Sequence, residues 1–410
     1  MIRSARAILV LFTALNLLNY LDRFVLAAVL ERVQAELHLN NFWGGALATV
    51  FLVGYFATSP LFGRLADRVP RKYLITFGVV IWSLATIGTG LVKSLPMLIL
   101  MRALVGVGEA SYATLAPTII DDLAPPAQKS RWLAIFYVAT PVGSALGYLV
   151  GGYVEARYGW RHAFLVAGGP GLVLALSCLL IVEPERRGAL SKESLLQNIR
   201  ALARVPAYVR AVLGYAAYTF TVGAFAFWAP TFLFRTFKMP LERANFSFGA
   251  VTVAGGVVGT VLGGWAADRA TARAGGDDNA IVRAGLWVCA IGSFCGAPLA
   301  VLCFLAPSQL VFFIAVFFCE TALFLNSSPI NAVVLRAVPE ARRAGAMALC
   351  ITCIHLLGDL WSPVLVGEAI DRLPMRLAMM ILPVALLASA LLWRPPRGLE
   401  RVERAGPQET

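Results

Sequence analysis

The chain has 410 residues, of which 59% are apolar and only 14% charged, against about 25% charged in ordinary soluble domains. A mean hydropathy of +0.74 over this length excludes a soluble fold built around one core and points to a membrane protein. The formal net charge of +12 is spread over many short loops, so it does not form the folded basic module that nucleic-acid binding requires.

A membrane-spanning helix needs about 20 mainly apolar residues, and twelve such runs follow one another along the chain. The first, 8–30, is too long for a signal peptide and lacks a small-residue cleavage site. It carries Asp22 and Arg23 midway and is read as a retained span. Runs at 42–63, 74–92, 96–121, 130–154 and 162–182 complete an N-terminal six-helix bundle, 1–182. The longest connection, 183–207, contains EPERRGALSKESLLQNIRALARVP. Leu195, Leu196, Ile199 and Leu202 recur there at helical spacing among Lys and Arg, which predicts an amphipathic helix along the membrane surface, tethering two bundles. Runs at 208–234, 244–266, 281–305, 309–336, 344–369 and 374–393 make a C-terminal six-helix bundle, 208–394, followed by a tail, 395–410. Strand alternation is absent, which argues against a β-barrel. The expected fold is therefore an all-α membrane protein with twelve transmembrane helices in two six-helix halves.

Orientation follows from Lys and Arg. With both termini cytoplasmic, the cytoplasmic segments hold 24 of the 35 basic residues and the opposite loops nine, while Arg23 and Arg102 lie within spans. That bias favours an N-in, C-in topology. The net positive charge is then mainly a topology signal.

The halves echo each other. GRLADRVPRK (63–72) follows span two, and GWAADRATAR (264–273) follows span eight. Gly, Ala, Asp and Arg recur at one offset. GYVEARYGWR after span five is matched by GEAIDRLPMR after span eleven. Span five has Gly143, Gly147 and Gly151, and span eight has Gly255, Gly259 and Gly263. Small residues four apart let helix backbones approach closely. Repeated halves suggest a transporter that rocks about a central site.

GRLADRVPRK resembles the loop signature of the major facilitator superfamily, with Pro70 where the general pattern has glycine. NYLDRF (19–24), RALVGVGEASYATLAPTIIDDL (102–123), FYVATPVGSALGY (136–148), FWAPTFL (227–233), ETALFLNSSPINAVVLRAVP (320–339) and IHLLGDLWSP (354–363) resemble, in order across both halves, motifs of the spinster family of lipid transporters. The resemblance implies a major facilitator fold in the cell (inner) membrane and an amphipathic lipid substrate, of the lysophospholipid or sphingoid phosphate class.

Charged residues inside spans carry the functional reading. Arg102 and Glu109 lie seven residues apart near one face of span four. A lone charge at a helix centre costs about 2.5–3.5 kcal/mol on insertion scales, so these groups are expected to face the bundle interior and pair with Asp22 and Arg23. Burial and the approach of an arginine act oppositely on a carboxylate's protonation. Glu109, then Asp22, with Arg102 nearby, are the candidate proton-coupling residues; a static salt-bridge cluster is the rival reading. The resemblance assigns Arg23 to the substrate head group, a task suited to a guanidinium that stays charged and donates twice to a phosphate. It also places Glu320 and His355 at binding-cavity positions. Asp359 lies four residues beyond His355, on the same face. Asn326, Asn331, Trp228 and Tyr112 complete the expected substrate contacts, although the two asparagines could equally join helices. The loop signatures make Asp67, Arg68, Arg71, Arg131 and Asp268 the expected gating residues. Asp67 is expected to meet Arg131 or the N-terminal end of span eleven, closing the cytoplasmic face.

Other motifs are weak. Cys350 and Cys353 form a C-x-x-C inside an apolar helix, without the His/Cys cluster that zinc needs. GVGEAS follows no strand and so does not read as a dinucleotide loop. No catalytic triad or phosphate-binding loop stands out. The expectation is a non-enzymatic, monomeric transporter with no cofactor or metal, whose partners are its lipid, protons and the surrounding membrane. A small-drug or organic-anion exporter is the nearest alternative, and a non-transporting receptor or lipid enzyme the alternative of another class.

Overall fold

The computed structural model describes residues 2–125, 128–184, 195–273 and 278–395. Among them, twelve helices are long and apolar enough to cross a membrane. Spans one to six are Ala5–Leu37, Asn41–Leu65, Arg71–Thr89, Leu95–Leu123, Arg131–Tyr158 and Trp160–Leu179. Spans seven to twelve are Pro206–Phe237, Leu241–Arg273, Asp278–Leu305, Gln309–Arg336, Gly345–Arg372 and Met375–Leu392. The expected apolar runs each fall on one of these helices. Several helices outrun the apolar windows because polar caps satisfy their first amides: Ser4 accepts from Ala7, Asn40 from Trp43 and Ser308 from Val311.

Three spans are interrupted. Span ten breaks between Phe324 and Ser327. Span eleven carries a π-helical segment, His355–Asp359, in which the Leu360 N–H reaches back to the His355 carbonyl. Span twelve divides into Met375–Ala378 and Ile381–Leu392. Broken helices are tolerated at membrane depth where protein covers them.

Two compact units result, and they are not the two halves in chain order. The first comprises Met1–Leu190, Phe225–Val253 and Ser362–Ala378; the second comprises Ser191–Ala224, Ala254–Trp361 and Met379–Thr410. The expected bundle 208–394 therefore gives parts of spans seven, eight, eleven and twelve to the first unit. Segment 185–194 of the linker and residues 396–410 of the tail lie outside the described residues.

Close backbone approach builds the first unit. A Cβ on Gly147 would lie 2.6 Å from the Leu21 carbonyl oxygen, so span five presses on span one. A Cβ on Gly106 would lie 2.0 Å from the Phe51 carbonyl oxygen and 2.9 Å from the Tyr55 nitrogen, and one on Gly54 would lie 2.5 Å from the Ala103 carbonyl oxygen. Spans two and four thus touch backbone to backbone, and this sets Phe51 and Tyr55 beside the charged face of span four. Gly106→Ala is expected to destabilise the protein by about 1–3 kcal/mol or more, since no flexible side chain can give way. Gly63→Ala, where a Cβ meets nothing within 4 Å, is the control. Thermal unfolding in detergent checks both.

The second unit repeats the scheme. A Cβ on Gly263 would lie 2.1 Å from the Leu325 carbonyl oxygen, packing span eight on span ten as span two packs on span four. A Cβ on Gly358 would lie 2.7 Å from the Ala216 carbonyl oxygen, packing span eleven on span seven as span five packs on span one. The glycine rows of spans five and eight therefore serve different helix pairs and are not equivalents in the repeat. The described linker helix, Leu195–Ala203, buries Leu202 and sets Asn198 against Gly345.

Candidate functional site

The four charges expected in the first half do gather, but as two sets. The Arg23 Nε donates to Glu109 Oε2 at 2.7 Å. The Arg23 guanidinium also lies over the rings of Tyr20, Phe51 and Tyr55, at 4.9, 5.0 and 5.6 Å. Glu109 is fully buried, whereas the Arg23 side chain keeps 20% of its exposure. The second carboxylate oxygen of Glu109 is buried without a hydrogen-bond partner. Arg102 is also buried; its guanidinium stacks on Phe51 at 5.2 Å and its Nε has no hydrogen-bond partner.

Asp22 turns elsewhere. It is 1% exposed, and one oxygen accepts from the Trp82 indole at 2.8 Å and the Thr86 hydroxyl at 3.2 Å. Neighbours on a helix point about 100° apart, which is why Asp22 faces span three while Arg23 faces span four. Its other oxygen is buried and unpartnered. Two unsatisfied carboxylate oxygens in one helical bundle are costly when charged.

In the second unit, His355 Nδ1 stands 2.9 and 3.0 Å from the two oxygens of Asp359. A carboxylate in that position favours the imidazole tautomer with Nδ1 protonated. Glu320 is buried, 5% exposed, beside the Gly255 backbone. Asn326 is fully buried at the break in span ten and donates to the Ser293 hydroxyl at 3.2 Å. Asn331 is exposed and returns its amide to the Ser327 carbonyl of its own helix.

Two expected substrate contacts are core residues instead. Tyr112 is 0% exposed; its ring packs against Phe12, Trp82 and Phe136, and its hydroxyl donates to the Phe12 carbonyl. Trp228 is also 0% exposed and donates its indole N–H to the Pro363 carbonyl at 2.9 Å. Aromatic rings with one polar atom satisfy that atom locally when buried, so neither offers a face to a ligand.

The expected gating residues differ in burial. Asp67, Arg68, Arg131 and Asp268 are exposed. Arg71 is buried and acts as a hub. It contacts Asp122 at 2.7 Å and Glu183 at 2.8 Å, and donates to the Thr118 hydroxyl at 3.0 Å. The Lys72 ammonium reaches the Ile181 carbonyl, and Ile2 pairs with Ile181 in a single parallel bridge. The start of span three, the end of span four, the segment after span six and the N-terminus are thus pinned together. Arg71→Met is expected to cost about 3–5 kcal/mol, because the buried Asp122 and the half-buried Glu183 lose their shared cation. Unfolding temperature and expression yield check this, and Asp122→Asn in the same background is expected to recover part of the loss.

A second network lies at the opposite ends of these helices. Arg235 donates to Glu31 at 2.8 Å, to Asn41 Oδ1 at 2.8 Å and to Gln34 at 3.2 Å. Asp371 accepts from the Asn41 backbone and side-chain nitrogens at 3.0 and 2.6 Å, and from the Phe42 N–H at 2.8 Å. A carboxylate from span eleven therefore caps the N-terminus of span two, where anions are favoured. Gly45 and Gly367 permit the contact: a Cβ on either would lie within about 2.2 Å of a carbonyl oxygen across the crossing. Sequence reasoning missed Asp371, Arg235, Asp122 and Glu183. The repeated GEAIDRLPMR segment was the one signal for Asp371.

Among the described residues no group of three or more His, Cys, Asp or Glu side chains is placed to hold a metal ion. The family model of the Major Facilitator Superfamily matches residues 12–363. Protein spinster homolog 1 of Homo sapiens is 38% identical over 397 residues, 90% of this chain and 74% of that protein. Protein spinster homolog 3 of Danio rerio is 37% identical over 386 residues, 88% of this chain and 75% of that protein. A crystal structure of a bacterial homolog to the human lysosomal transporter Spinster, inward-facing and unoccupied, superposes with a TM-score of 0.83 at 22% identity, covering 95% of this chain and 96% of that one. The chain thus belongs to the major facilitator superfamily and, within it, to the spinster proteins: it is a multi-pass membrane transporter of that type and not an enzyme.

Proposed function

We propose that this protein is a secondary active transporter of an amphipathic lipid, a lysophospholipid or sphingoid phosphate, working by alternating access and coupled to protons. The observation that carries the reading is the Arg23–Glu109 pair. A fully buried carboxylate has one oxygen on an arginine and the other on nothing, while that arginine reaches partly exposed space. A phosphate head group competes with Glu109 for the same guanidinium. Its arrival takes Arg23 from Glu109 and leaves only the more weakly engaged Arg102 charge near it, and a proton then makes up the difference. The protein is placed in the cell (inner) membrane as a monomer with cytoplasmic termini.

Reconstitution in liposomes tests the function. Uptake of a radiolabelled lysolipid, driven by an imposed pH gradient, is the expected result. Uptake of small organic anions with no response to lysolipids would replace this reading with that of an anion exporter.

The Asp371–Arg235 network and Asp67 then serve as opposing locks. The Asp371 cap and Arg235 cluster hold the outer ends of the first unit's helices together, and Asp67 in the loop after span two acts at the cytoplasmic face. Asp371→Leu removes three hydrogen bonds at once, including two to backbone amides. It is expected to raise the outward-open population, whereas Asp67→Ala is expected to raise the inward-open one. Spin-label distances across each face are the measurement. No shift in either variant removes the assignment of these residues as locks.

A further inference from the structure

An apolar groove in the first unit ends at an arginine without a counter-charge. It runs between spans five and six and the part of span eight that belongs to this unit. Its volume is about 860 Å³, and Leu149, Tyr153, Val166, Pro240 and Phe246 form much of its wall. Tyr153 keeps 52% and Phe246 59% of their exposure. Leu149 stands nine residues before Tyr158, the end of span five. At 1.5 Å per residue the groove reaches about 14 Å below the helix end. One leaflet of a hydrocarbon core about 30 Å thick has that depth.

Polar side chains are confined to the mouth, on the first turn of span eight. There Glu242 accepts from Arg157 at 2.8 Å, and the Arg157 guanidinium lies 3.7 Å over the Tyr153 ring. That pair is neutral as a whole. Arg243, the next residue, also lines the groove; it is exposed and in no ion pair among the described residues. A long apolar slot with one positive charge at its rim matches a lipid with a negative head.

We propose that this groove holds a resident two-chain anionic phospholipid of the bilayer, with one acyl chain along the slot and the phosphate at Arg243. The guanidinium donates to two phosphate oxygens at once. A zwitterionic head group brings an ammonium of its own, and the nearest carboxylate, Glu242, is already taken by Arg157. It therefore gains less than an anionic one. The second chain stays among the bilayer lipids, so the ligand docks without leaving the membrane. The site is separate from Arg23 and Glu109, and its occupancy does not depend on what the protein carries. A lipid lodged against three spans stabilises the folded protein by mass action.

The purified full chain, stripped of lipid in detergent, is titrated with phosphatidylglycerol and with phosphatidylcholine of identical acyl chains. Native mass spectrometry counts bound lipid, and thermal unfolding follows its effect. The parent is expected to retain one phosphatidylglycerol at concentrations where phosphatidylcholine is lost, and to unfold at a higher temperature with it. Arg243→Gln is expected to lower the phosphatidylglycerol affinity about fivefold, the scale of one arginine at an anionic lipid surface, and to leave phosphatidylcholine unchanged. Glu242→Gln frees Arg157 for the phosphate and is expected to raise the phosphatidylglycerol affinity. Phe246→Ala narrows no charge and is expected to weaken both lipids alike. Arg204→Gln, at an exposed arginine beyond the linker helix, changes the net charge as Arg243→Gln does and is expected to have no effect. Equal retention of the two lipids by the parent overturns the proposal. So does an Arg204→Gln loss as large as that of Arg243→Gln, for then net charge alone sets the preference. Displacement of phosphatidylglycerol, one for one, by a lysophospholipid also overturns it, for then the groove belongs to the cargo.

Discussion

Arg23→Met is expected to reduce the affinity for phosphate-bearing lysolipids by a hundredfold or more and to destabilise the empty protein at the same time. The binding loss follows from removing a charged donor from a desolvated ion pair with phosphate, worth about 2–5 kcal/mol when one partner is truncated. The stability loss has a separate cause. Glu109 is fully buried and pairs with Arg23 at 2.7 Å, so the substitution strands a charge at a cost of about 3–5 kcal/mol. The double variant Arg23→Met/Glu109→Gln separates the two. It removes the stranded charge and is expected to recover most of the unfolding temperature while leaving lipid binding lost. Binding restored together with stability would show that Arg23 serves the fold alone. Unchanged affinity in a well-folded Arg23→Met protein would remove it from the head-group site.

The spans were legible because each is a long apolar run, and a bilayer admits few other structures. The buried charges were legible for the same reason, since Glu109 and Asp22 stand out against leucine and glycine. Their division into two sets was not. It depends on span rotation, which decides that Asp22 meets Trp82 while Arg23 meets Glu109. Tyr112 and Trp228 misled because composition cannot tell a ring that lines a cavity from one that fills a core. Asp122 and Glu183 are 61 residues apart in the chain, and nothing local signals that both converge on Arg71. The π-helical turn at His355 and the break in span ten were equally hidden, because tertiary packing there outweighs local preference. Span ten's interruption leaves Asn326 able to turn its amide onto Ser293, a role that a continuous apolar run does not suggest.

Glu109→Gln is expected to keep lipid binding and to abolish the response of transport to a pH gradient. The argument is one of differential stabilisation. A proton can drive a conformational cycle only if it binds one state better than another. Glu109 meets that condition if Arg23 lies beside it in the empty state, as here, and turns to the phosphate in the loaded one. With the arginine at 2.7 Å the charged carboxylate is stabilised; with the arginine withdrawn, a buried carboxylate with an unpartnered oxygen favours the neutral form. Glutamine holds the shape of the protonated acid and fixes that neutral form in every state, so the cycle runs but no longer senses protons. Asp22 depends less on Arg23, because its hydrogen bonds come from the neutral donors Trp82 and Thr86 and the charges that act on it are Glu109 and Arg102. Asp22→Asn is therefore expected to lower stability while retaining part of the gradient response. Liposome transport measured with and without a pH gradient decides between the two carboxylates: a Glu109→Gln protein that accelerates with the gradient as the parent does transfers the coupling role to Asp22.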